Sequence, residues 1–337
     1  MTKRFSILFI LFCTLFSAKS QDIHFTSYDF APLTINPALS GAFLGTYRLG
    51  GIYRDQWRSV SSDGGFKTVN FHIDLPIIKG FRDQDWVGIG VNVFNDRSNT
   101  YNLNTTKSNQ GLSYHMSLDK KQTQILSFGI QNNTTSRRVL LRGGNLRTES
   151  FILEQNSVDN QLISDNNDRT LVDWVGGVMY SQYLKNQSFF RAGFSLGGIT
   201  GRNQTIANST DRGRLHYIAF LLYDIPLSGN LFLTPQAFYQ RRGNNQELLT
   251  QAKFSFLFNE SKNIFINAGA GVRWGDSVNI LLGADYKDFK FQFAYDINTN
   301  GLLAATNSVG AFELGVSYIG KIYKKPKVDP TEVCPRF

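Results

Sequence analysis

The chain contains few of the residues on which enzymes and disulfide-stabilised domains depend. Its 337 residues include two cysteines and four histidines, and none of them recur at the spacing of a zinc site. The sequence also has no P-loop and no dinucleotide-binding fingerprint. We therefore predict no metal and no cofactor, and no framework of intramolecular disulfides.

Long apolar runs are also missing from the body of the chain. After residue 20, no run approaches the roughly 18 apolar residues that a membrane-spanning helix needs. This excludes a bundle of membrane-spanning helices. It does not exclude a membrane β-barrel, because apolar residues alternate with polar ones in its strands.

The first 20 residues have the pattern of a secretory signal peptide. Two basic residues precede the apolar run Phe5–Phe16, and small residues end at Ser20, where we predict cleavage. A lipoprotein signal that uses Cys13 is the alternative, and the bulky residues directly before Cys13 disfavour it. Cleavage leaves Cys334 as the only cysteine, either as an unpaired thiol or as a partner for another chain.

The charge of the chain does not indicate a nucleic-acid partner. The formal charge is +9, and without Lys3, Arg4 and Lys19 of the leader it is +6, from 32 basic and 26 acidic residues. The basic residues are scattered rather than clustered with stacking aromatics. Basic residues at the rims of a barrel commonly contact lipid phosphates, so we expect outer-membrane lipids as partners.

Regular alternation of apolar and polar residues identifies the strands. In Ile264–Trp274 the even-numbered positions are apolar, and most odd-numbered ones are small or polar. Residues 278–286 and 289–297 repeat the pattern. Because side chains alternate between the faces of a strand, each segment has one apolar and one polar face. Runs of about ten residues with aromatics at their ends are typical of strands that cross a membrane.

The same pattern along the chain predicts an all-β fold, a transmembrane antiparallel β-barrel of about fourteen strands. An even number fits a bacterial barrel whose two ends lie on one side. A soluble β-sandwich is the alternative, and its strands would be shorter, about five or six residues. The predicted strands are 46–56, 67–75, 86–94, 104–118, 123–132, 171–183, 188–199, 213–224, 230–240, 246–258, 263–274, 277–286, 289–297 and 307–319.

The lengths of the connections support this topology. Those after even-numbered strands are mostly tight, and those after odd-numbered strands are mostly longer, with Asn133–Thr170 the longest. Short periplasmic turns, long external loops and periplasmic termini are expected of such a barrel. Two connections do not fit: Pro76–Asp85 is long for its side, and Gly275–Asp276 is tight.

The chain thus divides into four parts. Residues 1–20 are the signal peptide, and residues 21–44, interrupted by two prolines, are suited to enter the lumen as a plug. Residues 45–320 form the barrel. Residues 321–337 are a basic tail that we expect in the periplasm.

Candidate chemical groups inside the predicted barrel are sparse. Alternation directs His72 and His115 inward, and Ser113 and Ser117 flank His115 on the same face. This arrangement allows a Ser/His hydrolase. The alternative is that these residues are the ordinary polar lining of a wet lumen.

Charged residues of both signs are predicted to face the lumen, where they must be paired or hydrated. Because the first and last strands meet when the barrel closes, either Arg54 or Arg48 is expected to pair with Glu313. The network either holds a plug in place or forms a binding surface for a partner segment. The predicted inward-facing charges are Arg48, Arg54, Asp74, Arg191, Lys253, Arg273, Asp285, Lys290, Asp296 and Glu313.

Several segments resemble a known family when they are taken together. These segments are Gln21–Thr26, Ala31–Gly41, Tyr53–Trp57, Ser308–Tyr318 and Cys334–Phe337. On these segments the sequence is similar, through essentially the whole mature chain, to the PorP/SprF family of outer-membrane proteins, which belong to the type IX secretion and gliding systems of the Bacteroidota. Ser40 departs from the family pattern, in which threonine is the more familiar residue before the glycine.

The resemblance implies an outer-membrane barrel without enzymatic activity that takes part in protein export. SprF-like members help to export or anchor a particular secreted adhesin through its C-terminal domain. PorP-like members belong to the core machine and couple the outer membrane to periplasmic ring components. We favour the SprF-like role, because accessory copies are expected to outnumber core copies in a genome.

A FadL-like uptake channel for hydrophobic compounds is a more distant alternative, since such a channel is also a fourteen-strand barrel with an N-terminal hatch. It needs an apolar ligand pocket. The predicted inward positions are mostly small, polar or charged, apart from residues such as Phe232, Phe238 and Phe265.

The resemblance also suggests where partners bind. We expect the external loop Asn133–Thr170 to dock the terminal domain of the adhesin. The tail Tyr323–Phe337, with Cys334, Arg336 and Phe337 as candidate contacts, is expected to engage other secretion components or a peptidoglycan-associated periplasmic protein.

Two motifs are expected to hold the N-terminal segment inside the lumen. Ordinary turn chemistry and barrel packing is the alternative role for each of their residues. The residues are Asn36, Pro37, Tyr53, Arg54, Gln56 and Trp57.

Overall fold

Fourteen antiparallel strands close into one barrel. The computed structural model describes residues 24–58, 65–98, 103–139, 168–184, 186–201, 214–299 and 309–322. Each strand pairs with its neighbours in sequence, and β1 pairs with β14. The predicted all-β barrel and its strand number are therefore confirmed. Among the residues in these ranges, no helix is both long enough and apolar enough to span a membrane.

The strands begin and end near the predicted positions. The reason is that apolar and polar residues alternate in the sequence wherever a strand has one apolar face. Their bounds are β1 Tyr47–Gln56, β2 Phe66–Lys79, β3 Trp86–Ser98, β4 Leu103–Ser117, β5 Gln124–Val139, β6 Asp168–Tyr183, β7 Phe189–Gly197, β8 His216–Ser228, β9 Leu231–Arg242, β10 Asn245–Asn259, β11 Ile264–Arg273, β12 Ser277–Tyr286, β13 Phe289–Asn298 and β14 Val309–Gly320.

The two faces of each strand differ as the alternation predicts. On β11, Ile266 on the outer face is 50% exposed, whereas Arg273 on the inner face is 2% exposed. On β12, Leu282 is exposed and Asn279 is buried. The outer wall is therefore apolar and suited to lipid, and the inner wall carries the polar and charged residues.

The barrel has two ends, which we call the turn end and the loop end. The turn end holds Tyr47 and Gly320, together with the connections after even-numbered strands. The loop end holds the connections after odd-numbered strands, which include residues 140–167 and 198–215. Besides Gly275–Asp276, the Gly243–Asn244 connection at the loop end is also a tight turn.

The longest connection is shorter than predicted. Strand β5 continues to Val139 and β6 begins at Asp168, so only residues 140–167 separate them, and these lie outside the described residues. Asn133–Val139 is largely polar and lacks alternation, which is why the sequence reading ended the strand early. In the structure this stretch pairs with Leu103–Asn109 of β4.

Three other strands also extend four residues beyond their predicted ends, and one of them is β8, which continues to Ser228. Strand β3 continues to Ser98, and β2 passes through Pro76 to Lys79. The β2–β3 register shifts between Pro76 and Ile78, and a bulge of this kind tolerates a proline that cannot donate a ladder hydrogen bond. The connection that seemed too long for its side is therefore reduced to Gly80–Asp85.

The N-terminal segment runs through the lumen from the loop end to the turn end. His24 contacts Glu247, which lies near the loop end of β10. Thr46 donates its backbone N–H to the Gly320 carbonyl at the turn end (2.8 Å), and Ile322 bonds to Thr46 there. His24 and Ile322 thus lie at opposite ends of the barrel. The two termini of the mature chain, which we expect in the periplasm, lie outside the described residues, so that expectation stays a prediction.

A network of hydrogen bonds joins the Gly80–Asp85 turn to the end of β4 at the turn end. The Asp85 carboxylate accepts bonds from the Arg82 guanidinium (2.9 Å), the Tyr114 hydroxyl (2.6 Å) and the Ser117 N–H (2.9 Å). These partners, chiefly Arg82, lower the pKa of the Asp85 carboxyl from 3.8 to about 2. The ionised carboxylate therefore holds the Gly80–Asp85 turn against the end of β4.

This network predicts a pH dependence of local stability. A carboxyl whose pKa is lowered by folding stabilises the fold above its ordinary pKa, and this contribution is lost as the pH falls towards the lowered pKa. We expect amide protection factors of residues 80–85, measured by hydrogen exchange in detergent, to fall between pH 3.8 and about 2.

The control for this prediction is a carboxylate in another turn. Asp85→Asn should show low protection at neutral pH and no further change on acidification. Asp288→Asn, in the turn between β12 and β13, should leave the pH dependence as in the wild type. Equal protection in Asp85→Asn and the wild type at neutral pH would contradict the prediction.

Candidate functional site

The candidate site is the lumen of the barrel and the chain that fills it. We call residues 24–44 the lumenal segment. It contains the short helices Tyr28–Phe30, Pro32–Ile35 and Pro37–Leu39, and two of them begin at a proline, which suits the first turn of a helix. Asn36 accepts a hydrogen bond from the Ala38 N–H (2.8 Å) and caps the third helix.

The upper part of the segment is bonded to a charged cluster near the loop end. The backbone N–H groups of Thr26 and Ser27 donate to the two carboxylate oxygens of Glu313 (2.7 and 2.8 Å). Arg54 contacts Glu313 and also donates to Asp296 (2.9 Å). Of the two predicted partners of Glu313, Arg54 is thus the one that contacts it.

A second guanidinium completes this cluster. Arg273 donates to the Thr26 hydroxyl (2.7 Å), to Asp296 (3.1 Å) and to Glu247 (2.9 Å), and Glu247 also contacts His24 (3.2 Å). Arg273 is 2% exposed. Because a buried charge is costly without partners, the arginines and carboxylates of this cluster depend on one another.

The middle of the segment rests on glycines of the barrel wall. The Asn36 side-chain amide donates to the carbonyls of Val178 (3.1 Å) and Phe194 (3.0 Å). A Cβ added at Gly177 would overlap the Asn36 side-chain oxygen and lie 2.9 Å from the Pro37 ring. A Cβ at Gly129 would collide with the Pro37–Ala38 peptide. The backbone approaches the wall this closely only because these positions lack side chains.

The lower part of the segment is held near the turn end. Asp74 accepts hydrogen bonds from the Gly41 N–H (2.7 Å) and from Arg48 (2.9 and 2.8 Å). Arg48 also donates to the Leu39 carbonyl (3.1 Å). The partner of Arg48 is therefore Asp74 rather than Glu313. The Trp86 indole N–H donates to the Gly41 carbonyl (2.9 Å).

The predicted Ser/His pair also lies in this lower part. His115 is fully buried and contacts the Ser40 carbonyl (2.7 Å), the Ser113 hydroxyl (3.0 Å) and the Ser127 hydroxyl (2.7 Å). Its ring stacks on Trp86 with 4.6 Å between centroids. The Nε2 atom thus contacts the segment and the Nδ1 atom contacts the barrel wall, and a substrate would reach Nε2 only if Ser40 moved away.

An apolar cluster joins the segment to one side of the lumen. The Tyr28 ring stacks on Phe238 at 5.0 Å between centroids. The segment thus fills the apolar side of the lumen with its own side chains. The cluster comprises Tyr28, Ile35, Ala38, Leu39, Ala42, Met179, Ile218, Phe220, Phe238 and Leu249.

The Tyr53–Trp57 motif contacts the segment through one residue. Arg54 approaches the Thr26 hydroxyl (3.5 Å) and His24 (3.4 Å), and Gln56 accepts a bond from Arg54 (3.4 Å). Tyr53 faces outward and donates to Asp55 (3.1 Å), and the Trp57 ring packs on Phe66 with 5.5 Å between centroids. These last two residues therefore stabilise the wall and not the segment. Among the described residues, neither side chain forms a hydrogen bond with the segment.

Other predicted residues lie outside the described chain. Cys334, Arg336 and Phe337 belong to residues 323–337, which the structure does not describe. The close contacts of the segment with Gly129 and Gly177 were not predicted. The available signal was a glycine at an inward strand position, which marks a site where another backbone approaches closely.

Comparisons with known proteins give a family and a fold. A family model described as type IX secretion system membrane protein PorP/SprF matches residues 17–318. No curated protein matches the chain.

Among solved structures, the barrel is similar to two toluene transporters. For TodX from P. putida the TM-score is 0.52 at 11% identity, over 88% of this chain and 95% of that one. For TbuX from Ralstonia pickettii the TM-score is 0.51 at 8% identity, over 87% of this chain and 94% of that one. At such identities the likeness shows a shared barrel fold and nothing of the transported compound.

The close contact of Asn36 and Pro37 with Gly177 predicts a strong effect of one substitution. In Gly177→Leu the new side chain occupies the space of Asn36, so we expect the segment to be displaced. Such overpacking typically costs about 1–3 kcal/mol. The change is measured as a lower unfolding midpoint in detergent and as higher ion conductance in planar bilayers.

The neighbouring glycine is the matched control. Gly176 faces outward, and a Cβ added there has nothing within 4 Å. Gly176→Leu should keep the midpoint and the conductance of the wild type. The same conductance for both variants would mean that the position of the segment does not depend on its close contact with Gly177.

Proposed function

Because this chain belongs to the PorP/SprF family of type IX secretion system membrane proteins, we propose that it is an accessory, SprF-like barrel that helps to export one secreted adhesin and anchors it at the cell surface. The family and the barrel fold indicate an outer-membrane protein of this secretion system. The proposed role is non-enzymatic, and we propose that the barrel recognises its cargo through the C-terminal domain of that cargo.

The filled lumen is the observation that carries the proposal. The lumenal segment is bonded to the wall near the loop end at Glu313, in the middle through Asn36, and near the turn end through Gly41. A barrel filled in this way suits a membrane anchor better than a conduit. We therefore place recognition of the partner on the ends of the barrel.

The loop end is asymmetric, and this favours one docking region. Strands β5 and β6 have 16 residues each, whereas β11, β12 and β13 have 10 each. The additional residues extend the wall by up to about 20 Å at 3.3 Å per residue. Residues 140–167, which connect β5 and β6, are our candidate for docking the terminal domain of the adhesin.

The second part of the proposal concerns the C-terminal tail, which follows β14 at the turn end of the barrel. Ile322 bonds to Thr46 at the turn end, so residues 323–337 follow on the side that we propose is periplasmic. There the tail would engage other secretion components or a peptidoglycan-associated protein. A PorP-like core role is the second candidate, since the same position suits contact with periplasmic ring components.

A FadL-like channel is a more distant candidate, because the similar solved structures are hydrocarbon transporters. The apolar side of this lumen is packed by the segment itself, through residues such as Tyr28 and Leu39. A transport role would require those side chains to leave their contacts.

Shortening of the connection between β5 and β6 tests the docking proposal. Residues 144–163 are replaced by a short Gly/Ser linker that leaves both strands intact. We expect adhesin on intact cells, measured with an antibody, to fall by roughly tenfold, which corresponds to about 1.4 kcal/mol of lost binding. The matched control is the same replacement of residues 203–211.

Barrel insertion is checked in both variants by the shift between heated and unheated samples on a gel. Normal adhesin display by an inserted barrel that lacks residues 144–163 would refute the docking proposal. An equal loss in the control would show that any change at the loop end disturbs display.

Affinity purification separates the accessory role from the core role. A tag is inserted between residues 203 and 211, and the C-terminus is left native because Cys334–Phe337 is a candidate contact. We expect one large secreted protein to be recovered from mild-detergent membranes near stoichiometry, as measured by mass spectrometry. Recovery of periplasmic ring lipoproteins instead would favour the core role and contradict the accessory one.

A further inference from the structure

The upper part of β6 has a paired strand on one side only. Strand β6 pairs with β5 along nearly its whole length, from Asp168 to Gln182. On its other side, β7 pairs with Gly176–Tyr183 alone. Among the described residues, Asp168–Val175 therefore form an open edge of the sheet, which we call the β6 edge. We infer that an extended segment of the secreted partner adds to the β6 edge as a further strand, and this inference rests on the proposed function.

The backbone groups of the β6 edge point to the open side at every second residue. Successive residues of a strand direct their N–H and C=O groups to opposite neighbours. The Tyr183 N–H donates to the residue before β5 (2.8 Å), and the Leu184 N–H donates to the residue before β7 (2.9 Å). Even-numbered residues of β6 thus face the side of β7. At the edge, the backbone groups of Thr170, Val172 and Trp174 therefore point to the side without a paired strand.

A turn directs the chain away from β6 where β7 ends. Gly198 has a φ of +76°, which glycine adopts at no steric cost, and the Gly201 N–H donates to its carbonyl (3.2 Å). The Asp173 carboxylate accepts bonds from the N–H groups of Gly198 (2.6 Å) and Thr200 (3.2 Å). Of the edge carbonyls, this turn reaches that of Val172, through a long contact from the Thr200 hydroxyl (3.4 Å). The turn therefore bounds the edge from below and leaves its upper part open.

The β6 edge stands above the apolar belt of the barrel. The outward residue Ile130 of β5 is apolar and 52% exposed, whereas the next outward residues, Asn132 and Thr134, are polar. These two polar residues pair with Trp174 and Val172 of the edge. Unpaired backbone groups are excluded from hydrocarbon but are tolerated in water. In the orientation proposed above, the edge therefore lies in water on the cell-surface side.

The edge lacks the features by which natural sheets prevent pairing with another chain. Such features are prolines, bulges and charged side chains. Thr170–Val175 contains no proline and pairs with β5 without a register shift. Its one charged residue is Asp173, whose carboxylate is bonded to the turn after β7. The other residues are β-branched, aromatic or aliphatic, and most of these favour strands, so the composition of the edge favours pairing.

The chemistry of the edge specifies the kind of partner. A row of N–H and C=O groups at strand spacing is matched by the backbone of an extended segment, and strand addition of this kind occurs at open sheet edges. A segment antiparallel to β6 continues the line of β7. Its outward side chains then lie beside Val172 and Trp174, and the Trp174 side chain is 43% exposed. We therefore expect a segment with apolar or β-branched residues on its outward face.

Hydrogen exchange tests whether the edge is open in the barrel alone. The full-length protein is refolded by itself in detergent, and exchange is resolved to single amides. The N–H groups of Leu171 and Asp173 bond to β5 and should be protected at least about tenfold more than those of Thr170 and Val172. Equal protection would mean that this chain or a second copy already occupies the edge, and would overturn the inference.

A proline on the edge tests the role of the edge on cells. Val172→Pro removes an N–H that points to the open side and no hydrogen bond to β5, and edge strands tolerate proline. We expect adhesin on intact cells, measured with an antibody, to fall by roughly tenfold. Thr170→Pro should have the same effect and serves if Val172→Pro does not insert. Val172→Thr keeps the N–H and a branched side chain, and it should display adhesin as the wild type does.

The outcomes separate this inference from the proposed function. Insertion of each variant is checked by the shift between heated and unheated samples on a gel. Normal display by an inserted proline variant, together with loss of display in a strain without the barrel, would refute strand addition and leave the proposed function standing. An equal loss in Val172→Thr would also refute it, because the side chain and not the backbone would then be required. Unchanged display in the strain without the barrel would contradict the proposed function and this inference together.

Discussion

The bonds of Glu313 are the interaction on which the rest of the structure depends. This carboxylate lies on the closing strand, is 1% exposed, and accepts bonds from the N–H groups of Thr26 and Ser27 as well as a contact from Arg54. A buried carboxylate is stable only with such partners. Because one partner is the first strand and the other is the lumenal segment, Glu313 links the closing strands of the barrel to the segment that fills the lumen.

Because the lumen is filled, the barrel fold by itself does not indicate a transport function. The hydrocarbon transporters share the fold, but here side chains such as Tyr28 and Leu39 pack the apolar side of the lumen from within. The same segment carries the chain from one end of the barrel to the other. The ends of the barrel, and not its interior, are thus the surfaces through which we propose that partners act.

Alternation made most of the barrel predictable. Each membrane-crossing strand, such as β11, carries one apolar and one polar face, and the number of such strands was correct. Prediction failed where that signal is absent. Asn133–Val139 is polar, and its membership of β5 follows from hydrogen bonds to β4, a strand whose position is known only after folding. The expectation that either Arg54 or Arg48 pairs with Glu313 is confirmed for Arg54, because closure brings the first and last strands together whatever the details of the lumen.

The sequence by itself determined the class of fold, the strand number and the family, since these depend on local periodicity and on short motifs. The tertiary structure alone decided that Arg48 pairs with Asp74, that Gly129 and Gly177 seat the segment, and that His24 lies at the loop end. These facts depend on which residues of distant strands share a depth in the barrel. That depth follows from strand register and closure, which no single strand encodes.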